Sequence, residues 1–200
     1  MTAEHIKIDT HTQDILFRAA RTANTFTDEP VTDAEVEAIY ELTKWGPTAM
    51  NSQPLRVILV RTPEAKERLI SHLGVSNRAK TESAPLAAIL ATDTNFHDRL
   101  SEVFPHFPGA RDMYSANDER RIQVAKEQAW LQAGYFILGI RAAGLAAGPM
   151  TGYDAAGVDA DLLAGTSLRS IAVMNIGHPG PESWRDRLPR LAHKDVVTVL

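Results

Sequence analysis

The chain has 200 residues, of which 44% are hydrophobic and 23% charged, which is typical of a single domain, here residues 1–200, with one sizeable core. The formal net charge of −4 and the lack of an uninterrupted basic run argue against a nucleic-acid-binding protein. The sequence has no Cys, which excludes disulfides, thiolate metal sites and a cysteine nucleophile. Apolar stretches end well before the length of a membrane span, and the N-terminus lacks the basic-then-apolar pattern of a secretory signal. We therefore expect a cytoplasmic protein that does not bind membranes.

The sequence predicts helices and strands that alternate along the chain. A capping box at residues 32–35 begins a helix that Gly46 and Pro47 stop. Residues 63–73 begin with Pro and alternate in charge, which indicates a second helix. Residues 121–143 are predicted to form a long helix that is apolar on more than one face, and a two-fold dimer would bury it more easily than one small chain can. Short apolar runs predict strands at 55–60, 86–91 and 170–176.

The loop after the first helix is the most informative stretch, with the sequence GPTAMNSQP at residues 46–54. Pro47 and Pro54 each fix one φ angle, and the polar side chains between them both donate and accept hydrogen bonds. Such chemistry suits a flat heterocycle with polar edges, such as a flavin, and Asn51 would bind that ring without adding a charge. The same composition also suits an ordinary helix-to-strand connection. The polar side chains are those of Thr48, Asn51, Ser52 and Gln53.

Residues 92–117 show no regular period and include the sequence FPHFPG at 104–109. Such a segment is typical either of a mobile lid that covers a substrate or of an irregular surface loop. In the second interpretation Phe104 and Phe107 anchor the loop. Both interpretations remain open at the level of sequence.

Small residues at 144–152 allow the backbone to approach a ligand closely. The backbone N–H groups of Thr151 and Gly152 would then be free to face a ring. Asp154 is expected to cap the following helix rather than to take part in chemistry.

Basic residues are concentrated near the C-terminus around Leu188 and Pro189. Guanidinium groups at this spacing suit a phosphate clamp, and exposed ion pairs with Asp186 are the alternative. The basic residues are Arg185, Arg187 and Arg190.

Taken in order, these segments resemble the nitroreductase family of FMN enzymes over nearly the whole chain. The stretch RTANTF at 21–26 is similar to the opening of the family, where a basic residue and a hydroxyl reach the flavin phosphate or its ribityl chain. The resemblance gives these roles to Arg21 and Thr22, and leaves open whether Arg21 contacts the phosphate or the ring. Asn24 falls where the family often has a second basic residue, and under the resemblance Arg187 compensates for it.

Residues 47–54 resemble the family's Pro-Ser-x-x-Asn-x-Gln-Pro loop, which contacts the isoalloxazine ring from the partner subunit. Thr48 replaces Ser and keeps the hydroxyl. Residues 149–152 resemble the segment whose backbone lies beside flavin N5, and the terminal arginines resemble the basic residues at the phosphate. Besides Arg21, Thr22 and Asn24, the cofactor-binding residues implied are Pro47, Thr48, Asn51, Gln53, Pro149, Met150, Thr151, Gly152, Arg185 and Arg187.

The resemblance implies an α+β fold, with a mixed sheet flanked by helices, and an intertwined homodimer with two FMN sites. The branch that the motifs resemble most is that of malonic semialdehyde reductase. The implied reaction is ping-pong: NADH or NADPH reduces FMN, and flavin N5 passes the hydride to a small acceptor, so no side chain needs to be catalytic. The β-branched run at 196–199 is expected to extend across to the partner subunit.

The sequence lacks the motifs of several other enzyme classes. The sequence has neither a Gly-x-Gly-x-x-Gly fingerprint nor a Walker loop, which is consistent with transient binding of NAD(P)H, and it has no Gly-x-Ser-x-Gly elbow. Seven His are scattered without a His-Glu-x-x-His pattern, so no metal site is expected. A flavin store or sensor without turnover is the remaining alternative.

Overall fold

A four-stranded sheet lies at the centre of the fold. The computed structural model describes residues 5–200 and orders the strands β1-β2-β4-β3. All three neighbouring pairs are antiparallel. The strands are β1 (Leu55–Val60), β2 (Leu86–Asp93), β3 (Ala146–Met150) and β4 (Leu168–Gly177).

The predicted helix starts are present. The Thr32 side chain accepts a hydrogen bond from the Glu35 backbone, and the Glu35 side chain accepts one from the Thr32 backbone, which is the predicted capping box. Pro63 is the first residue of its helix, and Asp154 accepts from the Gly157 N–H. The helices are α1 (Thr10–Gln13), α2 (Asp33–Thr43), α3 (Pro63–Ser71), α4 (Val75–Ser83), α5 (Leu100–Val103), α6 (Ala110–Ser115), α7 (Asp118–Ala142), α8 (Ala155–Leu162) and α9 (His193–Val196).

The sheet of one chain is antiparallel rather than mixed, which corrects that part of the expectation. Both α3 and α4 connect β1 to β2. A pair of helices returns the chain to the end of the sheet where β1 stopped, so β2 runs in the opposite direction. β4 then lies between β2 and β3 and opposes both.

Apolar side chains cover both faces of the sheet. On one face, Leu90 and Met174 belong to the same buried cluster as Phe136 of α7. On the other face, Ile89 packs in a cluster with Leu69 of α3. Residues 86–92 of β2 are all buried, and the neighbours Ile89 and Leu90 pack in clusters on opposite faces, so helices cover β2 on both sides. None of the helices in residues 5–200 is long and apolar enough to cross a membrane.

Two segments differ in detail from the sequence-based expectations. The 92–117 segment contains a helical turn at Phe96–Arg99 followed by α5 and α6. Its buried aromatic residues are Phe96 and Tyr114, with ring centroids 5.1 Å apart, whereas Phe107 is 44% exposed and does not anchor the segment. Phe104 is partly buried against the cluster that these residues form.

The C-terminal run at 196–199 forms no strand within one chain. α9 ends at Val196, and the residues after it are exposed and have no regular structure. A strand needs a neighbour for its backbone hydrogen bonds, and within residues 5–200 this run has none.

Candidate functional site

A basic cavity of about 430 Å³ lies between the N-terminal segment (residues 18–24), α4 and the C-terminal segment (residues 183–200). Thr22 and Asn24 of the N-terminal segment, Ser76 of α4 and Leu188 of the C-terminal segment line the cavity. Asp186 is the acidic residue in its lining. The chain thus brings cations from three distant segments to one place. The basic side chains that line it are Arg21, Lys80, Arg185, Arg187 and Arg190.

The cations in and beside this cavity repel one another. Burial lowers the pKa of Lys80 below its ordinary value, and the positive charge of Arg185 lowers it further. Arg141, which follows the same pattern, has its pKa lowered by burial and by Arg187. Repulsion of this kind favours a bound anion, because a negative charge among the cations would offset it. A phosphate dianion fits the donor set.

The N-terminal and C-terminal segments are joined by hydrogen bonds at the wall of the cavity. The Asn24 N–H donates to Ser183 O at 3.0 Å, and Asn24 Nδ2 donates to the same oxygen at 3.3 Å. Arg187 Nη2 donates to Ala20 O at 3.0 Å and also to Arg18 O. Asn24 therefore has a structural role at the cavity wall, and Arg187 holds the two segments together as well as lining the cavity.

The 149–152 segment is connected to the basic cavity through α4. Gly152 O accepts hydrogen bonds from Asn77 Nδ2 at 2.9 Å and from Gly74 N at 3.0 Å. Asn77 lies three residues before Lys80, which is close to one helical turn. Asn77 thus holds the Gly152 peptide while Lys80 lines the cavity.

A second residue of α4, Thr81, contacts the ends of β3 and β4. Asn175 Nδ2 of β4 donates to Thr81 Oγ1 at 3.1 Å, and Thr81 Oγ1 lies 3.9 Å from Met150 Sδ of β3. Both Asn175 and Thr81 are buried. Buried polar contacts of this kind define one arrangement of the strand end.

The 47–54 loop is folded tightly and in an uncommon backbone conformation. Met50, Asn51 and Gln53 have φ angles of 53°, 48° and 44°, which side-chain-bearing residues rarely adopt. Asn51 Nδ2 donates to Val103 O at 2.8 Å, and Asn51 Oδ1 accepts from Gln53 Nε2 at 3.0 Å. The Gln53 N–H donates to Thr48 Oγ1 at 3.2 Å. Strain of this kind is concentrated at functional sites.

Among residues 5–200, the structure places the sequence-predicted site residues in three groups rather than one. Arg21, Thr22, Asn24, Arg185 and Arg187 line the basic cavity. Pro149, Met150, Thr151 and Gly152 lie at the end of β3, beside α4. Pro47, Thr48, Asn51 and Gln53 form the strained loop, which lines no part of the basic cavity, while Gln53 borders a separate cavity of about 560 Å³.

Three residues of α4 were missed by the sequence analysis. Ser76 and Lys80 line the basic cavity, and Asn77 holds Gly152. Only their spacing along one helix carried a signal, and a polar helix face is ordinarily a solvated one.

The chain belongs to the nitroreductase family of oxidoreductases. The model of the nitroreductase family matches residues 17–178. A protein of Streptomyces coelicolor is 56% identical over 193 residues, which cover 96% of this chain and 98% of the relative, and it carries the provisional name NADH dehydrogenase/NAD(P)H nitroreductase. A protein of Streptomyces griseus with the same provisional name is 54% identical over the same share of each chain.

Solved structures show the same fold. A protein of Bacillus subtilis that is provisionally named a nitroreductase superposes with a TM-score of 0.85 at 21% identity, over 96% of this chain and all of that one. A provisional nitroreductase of Exiguobacterium sibiricum, solved in complex with FMN, gives a TM-score of 0.83 at 16% identity, over 97% and 99% of the two chains. These matches confirm the nitroreductase-like fold.

Proposed function

We propose that this protein is an FMN-dependent NAD(P)H oxidoreductase that acts in the cytoplasm as a single-domain subunit of a homodimer. The observation that carries this proposal is the basic cavity, whose wall on α4 also holds the 149–152 segment. The basic cavity suits a phosphate, and the 149–152 segment offers backbone groups to a ring. Relatives more than 50% identical carry NAD(P)H nitroreductase names, and a structural neighbour contains FMN, which supports the same assignment.

The phosphate of FMN would bind in the basic cavity. Arg21, Lys80, Arg185 and Arg187 supply charge-assisted donors there, and Thr22 adds a hydroxyl for the phosphate or the ribityl chain. Asn24 contributes by holding the cavity wall rather than by charge.

The isoalloxazine ring would lie beside the backbone of Pro149, Met150, Thr151 and Gly152, with the 47–53 loop of the partner subunit on its other side. Pro47, Thr48, Asn51 and Gln53 do not line the basic cavity of their own chain, so a contribution from the partner accounts for their separation from it. Asn51 retains one unused N–H and one unused lone pair in its present hydrogen bonds, enough to bind a ring edge as well.

Bound FMN supplies hydride transfer through N5. The residues of this chain would hold the ring and present its open face first to NADH or NADPH and then to the acceptor, in ping-pong order. Donors at the ring edge, such as Asn51, stabilise the negative charge that develops on reduction. The small acceptor is an aldehyde of the malonic semialdehyde type, a nitroaromatic, a quinone or an enone, each a polarised electrophile.

Surfaces that one chain leaves uncovered support the proposed assembly as a dimer. Trp130 and Leu131 of α7 are each at least 40% exposed. β1 is an edge strand of the sheet, and apolar residues of β1, α2 and α7 line the 560 Å³ cavity beside it. The C-terminal segment is exposed and carries apolar side chains, so we propose that the segment of each subunit covers this edge of its partner. The exposed apolar residues of the segment are Trp184, Leu188, Leu191, Val196, Val197, Val199 and Leu200.

Light scattering on FMN-loaded and FMN-free protein across a dilution series tests this assembly. If both subunits build the flavin site, FMN stabilises the dimer by mass action, and the two dissociate together. A monomer that retains one FMN per chain would contradict the shared site.

Purified protein distinguishes the enzyme from a flavin store. A yellow protein that is bleached by NADH or NADPH without oxygen, and recoloured by an acceptor, supports the proposed function. Bound flavin that no nicotinamide reduces favours a store or sensor, and a colourless protein that does not take up FMN contradicts the cofactor assignment.

A further inference from the structure

The strained 47–54 loop is held by side chains from α7 rather than by its own backbone alone. The Ala49 N–H donates to Gln128 Oε1 at 2.8 Å, and the Leu55 N–H donates to Gln132 Oε1 at 2.9 Å. Tyr135 Oη donates to Pro47 O at 3.1 Å. The three bonds reach the loop at its beginning, near its middle and just after its end.

The three α7 side chains form one strip along the helix. Gln128, Gln132 and Tyr135 are separated by four and then three residues, the spacing that places side chains on one face of a helix. All three are half-buried. We call Gln128, Gln132 and Tyr135 the loop-holding strip.

The loop also approaches this strip too closely for an ordinary side chain. A Cβ atom built on Gly46 would lie 2.2 Å from Cδ2 of Tyr135. Only glycine lets the backbone lie this near the ring, so the start of the loop is seated on Tyr135. The other side of the loop is attached to α5 through Asn51 and Val103.

We propose that the loop-holding strip positions the flavin ring of the partner subunit, an inference that rests on the proposed function. The loop conformation requires three non-glycine residues in the left-handed region, and such a conformation persists only where its surroundings fix it. Hydrogen bonds from a rigid helix fix the backbone on both sides of Asn51. Gln128, Gln132 and Tyr135 are thus positioning residues, which act on the ring through the loop and not by contact with it.

The test substitutes Gln128→Met, which keeps the length of the side chain and its helix propensity but replaces a strong acceptor with a weak one. Loss of one hydrogen bond that holds the loop is expected to weaken FMN and riboflavin by the same factor, about tenfold. Equal weakening is the signature of the ring, because riboflavin lacks the phosphate. In the flavin-free state, the Ala49 backbone amide of Gln128→Met is expected to exchange hydrogen faster than the same amide of the unmodified protein.

Two further variants serve as matched controls. Gln123→Met makes the same change on the exposed face of α7, where Gln123 Nε2 donates to Glu127 Oε1 at 2.8 Å, and it should leave both affinities unchanged. Gln128→Glu keeps an acceptor oxygen and should restore part of the affinity and of the Ala49 protection. If Gln128→Met fails to fold, Tyr135→Phe removes only the hydroxyl that bonds Pro47 O, and the same equal loss of both ligands is expected.

The outcomes separate this inference from the function on which it rests. Failure of the unmodified protein to bind FMN contradicts the proposed function. If the unmodified protein binds FMN, wild-type affinities and wild-type exchange at Ala49 in Gln128→Met overturn the inference alone. A loss confined to FMN, with riboflavin unaffected, would also overturn it.

Discussion

Lys80 gives the sharpest test of the phosphate site, because its charge is unfavourable until an anion binds. Burial and Arg185 both lower its pKa in the structure. Lys80→Met removes the charge and keeps the length and helix propensity of the side chain. A hydrogen bond between charged groups contributes about 1.5–3 kcal/mol, so the dissociation constant for FMN should rise about 10- to 150-fold. Riboflavin, which lacks the phosphate, should bind as before.

The same substitution should not destabilise the flavin-free protein. A lysine whose pKa is lower in the folded than in the unfolded state binds fewer protons when folded, so stability rises with pH between the two pKa values. Below the folded pKa the penalty is fully present, and Lys80→Met removes it. At pH 7 the Tm of the flavin-free variant is expected to equal or exceed that of the unmodified protein, and its pH dependence above neutrality should be flatter.

Lys66→Met is the matched control. Burial also lowers the pKa of Lys66, but Lys66 Nζ donates to Glu82 O at 2.8 Å and Ala84 O at 2.6 Å at the end of α4, away from the residues that line the basic cavity. Its loss should lower Tm and leave FMN affinity unchanged. Fluorescence titration measures the affinity of each variant for FMN and for riboflavin. Thermal melts at several pH values measure its Tm and the pH dependence of Tm. If Lys80→Met weakens FMN and riboflavin equally, or weakens neither, Lys80 does not contact the phosphate.

Three further predictions concern the loop, the cavity wall and the fold. Asn51→Ala should weaken FMN and riboflavin alike by about 1–3 kcal/mol through the lost ring contact; unchanged affinity and unchanged reduction rate would remove Asn51 from the site. Arg187→Ala should weaken FMN more than riboflavin, since it loses the charge in the basic cavity, and an equal effect on both ligands in the titration would limit Arg187 to its contact with Ala20. Thr32→Ala should lower the free energy of unfolding in urea by about 1 kcal/mol, the usual value of an N-cap, without changing FMN affinity; stability equal to that of the unmodified protein would mean that the capping box contributes nothing.

Local rules predicted those parts of the fold that local chemistry determines. The capping box at Thr32, the first-turn Pro63 and the cap at Asp154 are present as the sequence indicates. β3 was not predicted, because Ala146, Ala147, Gly148 and Pro149 have low β-propensity. Pairing with β4 makes it a strand, and that pairing depends on tertiary structure.

The candidate site shows the same division. Motifs indicated Arg21 and Arg185, and the structure brings both to one cavity. Lys80 and Gln128 gave no such signal, because a lysine or glutamine on a polar helix face is usually solvated. Their positions follow from how α4 and α7 pack against segments that are distant along the chain.

Anaerobic titration of the purified, FMN-loaded protein with NADH and NADPH, followed by addition of an acceptor, tests the central claim most directly. The absorbance of oxidised flavin should be lost with at least one of the two nicotinamides and return when a nitroaromatic, a quinone, an enone or a malonic semialdehyde-type aldehyde is added. Flavin that stays oxidised with both nicotinamides would contradict the assignment of this protein as an NAD(P)H oxidoreductase.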